Sequence, residues 1–200
     1  MNVSHLFPVP VAEFHIGRGL TDEERSFVLD HSPRQDNGGN KISTNHYILN
    51  EPALCDVKSF VDDCINQYAR DVWEIRDRCS LELTQSWATY TRPGDFHHQH
   101  THTNSMFSGV FYVQTDDTRD RLHFYRSLST VLAPAYAEVN IFNSNSWWLP
   151  TPTGSLLLFP STVPHAVVAF SDGVERCSIA FNTFPRGAVG GAGTLSELYV

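Results

Sequence analysis

Leu54, Val57, Phe60, Val61, Cys64, Ile65, Tyr68 and Val72 recur at intervals of three and four residues. That is the spacing of one helical face, and it predicts a helix from Glu51 to about Arg78. A second start signal lies upstream, where Thr21 precedes Asp22, Glu23 and Glu24. A hydroxyl cap followed by acids in the first turn predicts a shorter helix ending near His31. Before it, 6–16 (LFPVPVAEFHI) reads as extended chain with prolines at its start. The run 32–40 (SPRQDNGGN) reads as a loop, and 46–49 (HYIL) as a short strand.

After Leu81 the helical period vanishes. Short runs rich in Phe, Tyr, Val, Thr and Trp alternate with Gly, Pro, Asn and Asp. They predict strands at 83–91, 107–114, 121–126, 137–142, 155–159, 165–170 and 175–182. Many short strands with turns between them indicate a β-sandwich or barrel. The expected architecture is mainly β with N-terminal helices: one domain over 1–200, its helical part (1–80) packed on a cupin-like jelly-roll core (81–185). The Gly-rich tail, 186–200, is expected to be a flexible crossing ending in a docked or frayed terminus.

Composition narrows the class. With 200 residues, 41% apolar and 18% charged, the chain is long enough to bury a core without staples. Its net charge is -8, from 14 basic and 22 acidic residues. Phosphate backbones need a positive field, so this balance argues against nucleic acid as a partner. Residues 1–20 hold no long apolar run, which argues against a signal peptide or membrane helix and makes a cytoplasmic location the expectation. The four cysteines form no CxxC pair, so a zinc ribbon or thioredoxin-like site is not expected.

The chemistry concentrates in 96–105, FHHQHTHTNS, which carries four of the ten histidines. In extended chain, His98, His100 and His102 share one side while His97 points away. Two imidazoles two residues apart offer two metal ligands. An iron site with open positions needs a third ligand, and His165, after the apolar run SLLLF, is the downstream candidate. Periodicity alone leaves the His98–His100 pair open beside His100–His102. Arg176 and Ser178 lie two apart, beside and within the apolar run CSIAFN. A guanidinium there is expensive unless an anion meets it; the opposing reading pairs it with a protein carboxylate.

These residues, His100-Thr101-His102, His165 and Arg176-Cys177-Ser178, resemble the signature of the 2-oxoglutarate/Fe(II)-dependent oxygenase superfamily. The segments LFPVPV, HTHTNSMFSGVFYV, GSLLLFPSTVPHAV and ERCSIAFN extend the resemblance over nearly the whole chain, except around 126–150. It implies a double-stranded β-helix. It also implies Fe(II) on His100, His102 and His165, with O2 and 2-oxoglutarate as co-substrates. The far carboxylate would meet Arg176 and Ser178, and Tyr90 or Tyr112 would donate to the co-substrate. The expected reaction is hydroxylation of a small molecule or protein side chain, releasing succinate and CO2.

The chain departs from the superfamily at His102, where a carboxylate is usual. Three neutral imidazoles leave the site one charge more positive and fill the place a halide would take. Two other functions compete: a three-His cupin-type dioxygenase that does not use 2-oxoglutarate, and a metal-binding jelly roll without catalysis. Asn104, Phe107, Trp147 and Trp148, with Phe96 and Phe111, are candidates for a substrate pocket, and Asn104 and Ser105 for groups that orient the metal ligands.

Overall fold

The computed structural model describes residues 1–75, 78–127, 132, 134–170 and 172–200. The strands are β1 (Ala12–His15), β2 (Arg34–Asp36), β3 (Lys41–Ser43), β4 (Cys79–Thr91), β5 (His97–His100) and β6 (Phe107–Gln114). They continue with β7 (Arg121–Tyr125), β8 (Ser146–Pro150), β9 (Ser155–Pro160), β10 (His165–Val167), β11 (Arg176–Val189) and β12 (Leu198–Tyr199). The α-helices are α1 (Asp22–Ser26) and α2 (Cys55–Asp71).

The larger sheet has the order β1-β9-β6-β11-β4-β3-β2, with β12 added on β11; the smaller is β5-β10-β7-β8. All of these pairings are antiparallel. Strand parity divides each element of the larger sheet between two cores. Ala88, Tyr90, Phe111, Cys177, Ile179 and Phe181 face outward and pack with α2. Tyr112, Leu157 and Phe159 face inward and meet Leu122 and Phe124 of the smaller sheet. The buried face of α2 is Val57, Val61, Cys64, Ile65, Tyr68 and Ala69, each large apolar side chain contributing about 1.5–3 kcal/mol on burial. Gly109 on β6 leaves room for its cross-strand neighbours: a Cβ there would collide with the Phe181 ring of β11 and Leu158 of β9.

The fold class is the one expected, a double-stranded β-helix with N-terminal helices. Several elements differ. The first helix keeps its Thr21–Glu24 capping box but turns π-helical over Phe27–His31. The long helix ends at Asp71 rather than near Arg78; residues 76 and 77 on its expected course lie outside the described ones. The expected loop after His31 contributes β2 and β3, which pair with each other and with β4. The segment 46–49 is not a strand: Ile48–Asn50 is a 3-10 turn that buries Ile48 and Leu49. The expected strand 137–142 is irregular, and the real one is β8. The tail is partly ordered, because β11 runs to Val189 and pairs with β12. Among the described residues no helix is long and apolar enough to cross a membrane.

Candidate active site

Pairing of β5 with β10 sets the geometry. His100 stands opposite His165, and His97 opposite Val167. Three steps on β5 therefore span two on β10, the signature of a bulge. The extra residue turns both His97 and His100 toward the space between the sheets, so His97 does not point away as simple alternation predicted. Its ring stacks on that of His100 at 4.3 Å, while His98 is exposed.

His100, His102 and His165 place one nitrogen each within 4.8 Å of the others. His102 Nε2 lies 3.4 Å from His165 Nε2, with the two rings nearly parallel at 6°. Two nitrogens at ~2.0–2.1 Å from one divalent ion stand about 2.9–3.4 Å apart for angles of roughly 90–110°. The far nitrogens are held by backbone: His100 Nδ1 is 2.8 Å from the His98 carbonyl, and His165 Nδ1 is 2.9 Å from that of Val163. An Nδ1–H donated to a carbonyl leaves the Nε2 lone pair free, the tautomer a metal requires. Burial pushes the His165 imidazole down to about 3 and that of His102 to about 4, and it lowers His100 as well. All three rings are thus neutral near pH 7. Phe159 fixes the His165 ring edge-on at 4.8 Å, and Trp87 leans on His102 at 5.9 Å.

The loop carrying His102 is anchored from behind. The His102 amide donates to the Ser161 carbonyl at 3.0 Å. Ser161 Oγ lies 2.7 Å from Ser105 Oγ and 2.8 Å from Ser108 Oγ, and Ser108 donates to Asn182 Oδ1. Ser105 therefore steadies the backbone beside the cluster, through Ser161, instead of orienting a histidine ring directly. Asn104 is exposed, with a left-handed φ of 54°.

A cleft joins the three histidines to Trp87, Thr89, Thr91, Leu122, Phe159, Arg176 and Ser178. Arg176 is 4% exposed. Its Nη1 donates to the Arg121 carbonyl at 3.0 Å, and among the described residues it forms no ion pair. The neighbouring acid is taken: Glu175 pairs with Arg34 at 2.9 Å and Arg92 at 3.0 Å. The Arg176 guanidinium lies 5.1 Å from the Tyr112 ring centre. The Tyr112 hydroxyl is fully buried without a hydrogen-bond partner. Burial pushes its pKa up to about 12, against the opposing pull of the Arg176 charge. A buried cation beside an unpartnered hydroxyl donor fits a carboxylate.

Other expectations are corrected. Tyr90 sits on the outward parity of β4: its hydroxyl donates to the Val28 carbonyl at 2.7 Å and its ring lies under Arg34, away from the cleft. Phe107 and Phe111 are core residues packed against Tyr68 and Phe60. Phe96 is exposed and lies outside the residues lining the cleft. Trp148 is turned to Arg121, 4.7 Å from its guanidinium. Trp147 stands beyond Phe124 in the cross-strand row from His165, exposed at the sheet edge and not lining the cleft. The sequence reading missed Trp87, Thr89 and Thr91, whose period-two spacing on β4 is the parity opposite to Tyr90.

Fold and site together describe a jelly roll whose cleft brings three histidines close enough to share a metal ion, beside a buried arginine. Residues 85–182 match the family model described as "Putative 2OG-Fe(II) oxygenase". The segment, just under half of the chain, includes all three histidines, Arg176 and Ser178, and is similar to the 2-oxoglutarate/Fe(II)-dependent oxygenases. No curated protein matches the chain by sequence. Solved structures share its fold. An oxidoreductase of the 2OG-Fe(II) oxygenase family from Burkholderia pseudomallei is 10% identical, with TM-score 0.56 over 78% of this chain and 74% of that one. HygX from Streptomyces hygroscopicus, solved with nickel, 2-oxoglutarate and hygromycin B, is 12% identical, with TM-score 0.60 over 88% and 83%. A Pseudomonas putida prolyl-4-hydroxylase is 16% identical, with TM-score 0.57 over 87% and 92%.

Proposed function

We propose that the chain is a hydroxylase that holds Fe(II) through Nε2 of His100, His102 and His165 and the far carboxylate of 2-oxoglutarate on Arg176, Ser178 and Tyr112. The observation that carries this reading is the buried Arg176, which has no acid partner among the described residues, in the same cleft as three neutral imidazoles. When bound, Fe(II) and 2-oxoglutarate supply the oxidising chemistry: one oxygen atom of O2 ends in succinate as CO2 leaves, and the other in the substrate.

The chain's own residues do the rest. The Val163 and His98 carbonyls fix two rings in the ligating tautomer, and the Ser161 carbonyl holds the loop that carries the third. Arg176 and Tyr112 offer charge and a donor to one end of the co-substrate. An unmet buried hydroxyl costs about 1–3 kcal/mol, and a carboxylate accepting from Tyr112 recovers it. Val110, Leu122, Phe159 and Val167 keep the cleft walls apolar, which strengthens those charge interactions. The substrate class is a small molecule or a protein side chain: the structural neighbours include one solved with hygromycin B and one prolyl hydroxylase.

A three-His dioxygenase that does not use 2-oxoglutarate would leave Arg176 and Tyr112 without a role. Anaerobic titration with Fe(II) and 2-oxoglutarate separates the readings. The proposal expects a weak visible charge-transfer band saturating at one 2-oxoglutarate per chain. Bound Fe(II) with no band on adding 2-oxoglutarate refutes it.

A further inference from the structure

We infer that the chain carries a second metal site at the rim of the cleft, formed by His97, His98 and His100, which competes with the first for His100. Nitrogens of these three side chains also lie within 4.8 Å of one another. The ring of His97 is 5.3 Å from that of His98 and 4.3 Å from that of His100, and His98 and His100 are 5.4 Å apart. The bulge on β5 creates this cluster, because it brings His97 to the side of His100. His98 is exposed and His97 only partly so, giving an incoming ion a path from solvent. Three imidazoles suit a borderline ion such as Zn2+.

Exclusivity follows from one hydrogen bond. His100 Nδ1 is engaged with the His98 carbonyl at 2.8 Å, so His100 has a single free nitrogen, Nε2, for either site. An ion at the rim leaves only His102 and His165 at the inner position. Excess Zn2+ bound there would strip the iron site of a ligand, making the rim a metal-sensitive brake on the enzyme.

The exclusivity rests on His100 serving the iron site, and Zn2+ equilibrium dialysis with metal analysis tests the rim site separately. The wild-type chain is expected to hold one Zn2+ at saturation; two would overturn the shared-ligand account. His102→Ala weakens the inner site and leaves the rim whole, so it should still hold one Zn2+. Adding His98→Ala to that variant should weaken binding by about tenfold or more. If the His102→Ala chain binds no Zn2+, or if adding His98→Ala changes nothing, the rim site does not exist. Circular dichroism checks that each variant is folded.

Discussion

His102 Nε2 lies 3.4 Å from His165 Nε2, although the two residues are 63 positions apart in the chain. Among the described residues neither ring has a carboxylate to pair with, and both are held neutral by burial. Two lone-pair donors brought so close are mutually repulsive unless a proton or a metal lies between them. His165→Ala is therefore expected to abolish stoichiometric Fe(II) binding while leaving the chain folded, as read by metal analysis alongside circular dichroism.

The same burial makes acid the weak side of the metal-free protein. In the unfolded chain these histidines titrate near the ordinary value of 6.5, whereas in the folded chain His165 is lowered to about 3 and His102 to about 4. Between those values the unfolded state binds more protons, so stability falls as pH drops below about 6.5. Urea unfolding of the metal-free chain should show a falling midpoint from pH 7 to pH 5. His165→Gln should flatten that slope. Metal binding at pH 7 should release almost no protons, which calorimetry in buffers of different ionisation enthalpy can read.

Arg176 and Tyr112 should act on the co-substrate and not on the metal. Arg176→Met is expected to raise the KM for 2-oxoglutarate by about a hundredfold, the ~2–3 kcal/mol of a charge-assisted pair. Fe(II) affinity should stay unchanged. Tyr112→Phe should raise the same KM by a smaller factor, about tenfold, for one lost hydrogen bond of roughly 1.4 kcal/mol.

Tyr90→Phe makes the contrast. Its hydroxyl serves the Val28 carbonyl, so the variant should lose about 1 kcal/mol of stability with no change in 2-oxoglutarate binding. Urea denaturation and the spectroscopic titration, run on the same sample, read both effects.

Gly109→Ala tests how tightly the cross-strand neighbours on β9 and β11 close over β6. The added methyl must displace the Phe181 ring or Leu158, costing about 1–3 kcal/mol by overpacking. Thermal unfolding should show a lower Tm.

The helix-then-strand order, the jelly-roll class, the three convergent histidines and the arginine were legible because each rests on local pattern or residue chemistry. What the sequence concealed depends on partners far along the chain. Strict alternation turned His97 away, but the bulge opposite Val167 turns it in, and a register shift leaves no trace in one strand's residues. Tyr90 and Tyr112 look alike in sequence; only the pairing of β4 and β6 with β11 tells which faces the inner core beside Arg176 and which the helix layer. Phe107 and Phe111 read as pocket aromatics for the same reason. The strand expected at 137–142 formed at Ser146–Pro150, where Leu149 and Trp147 pair with Leu122 and Phe124; tertiary pairing, not local apolarity, chose the segment.

The most direct test is a crystal structure grown without oxygen in Mn(II) and 2-oxoglutarate. The account predicts one metal ion at ~2.0–2.2 Å from Nε2 of His100, His102 and His165, with the far carboxylate of 2-oxoglutarate on the Arg176 guanidinium. A metal held by His97, His98 and His100 instead, or 2-oxoglutarate bound away from Arg176, would contradict it.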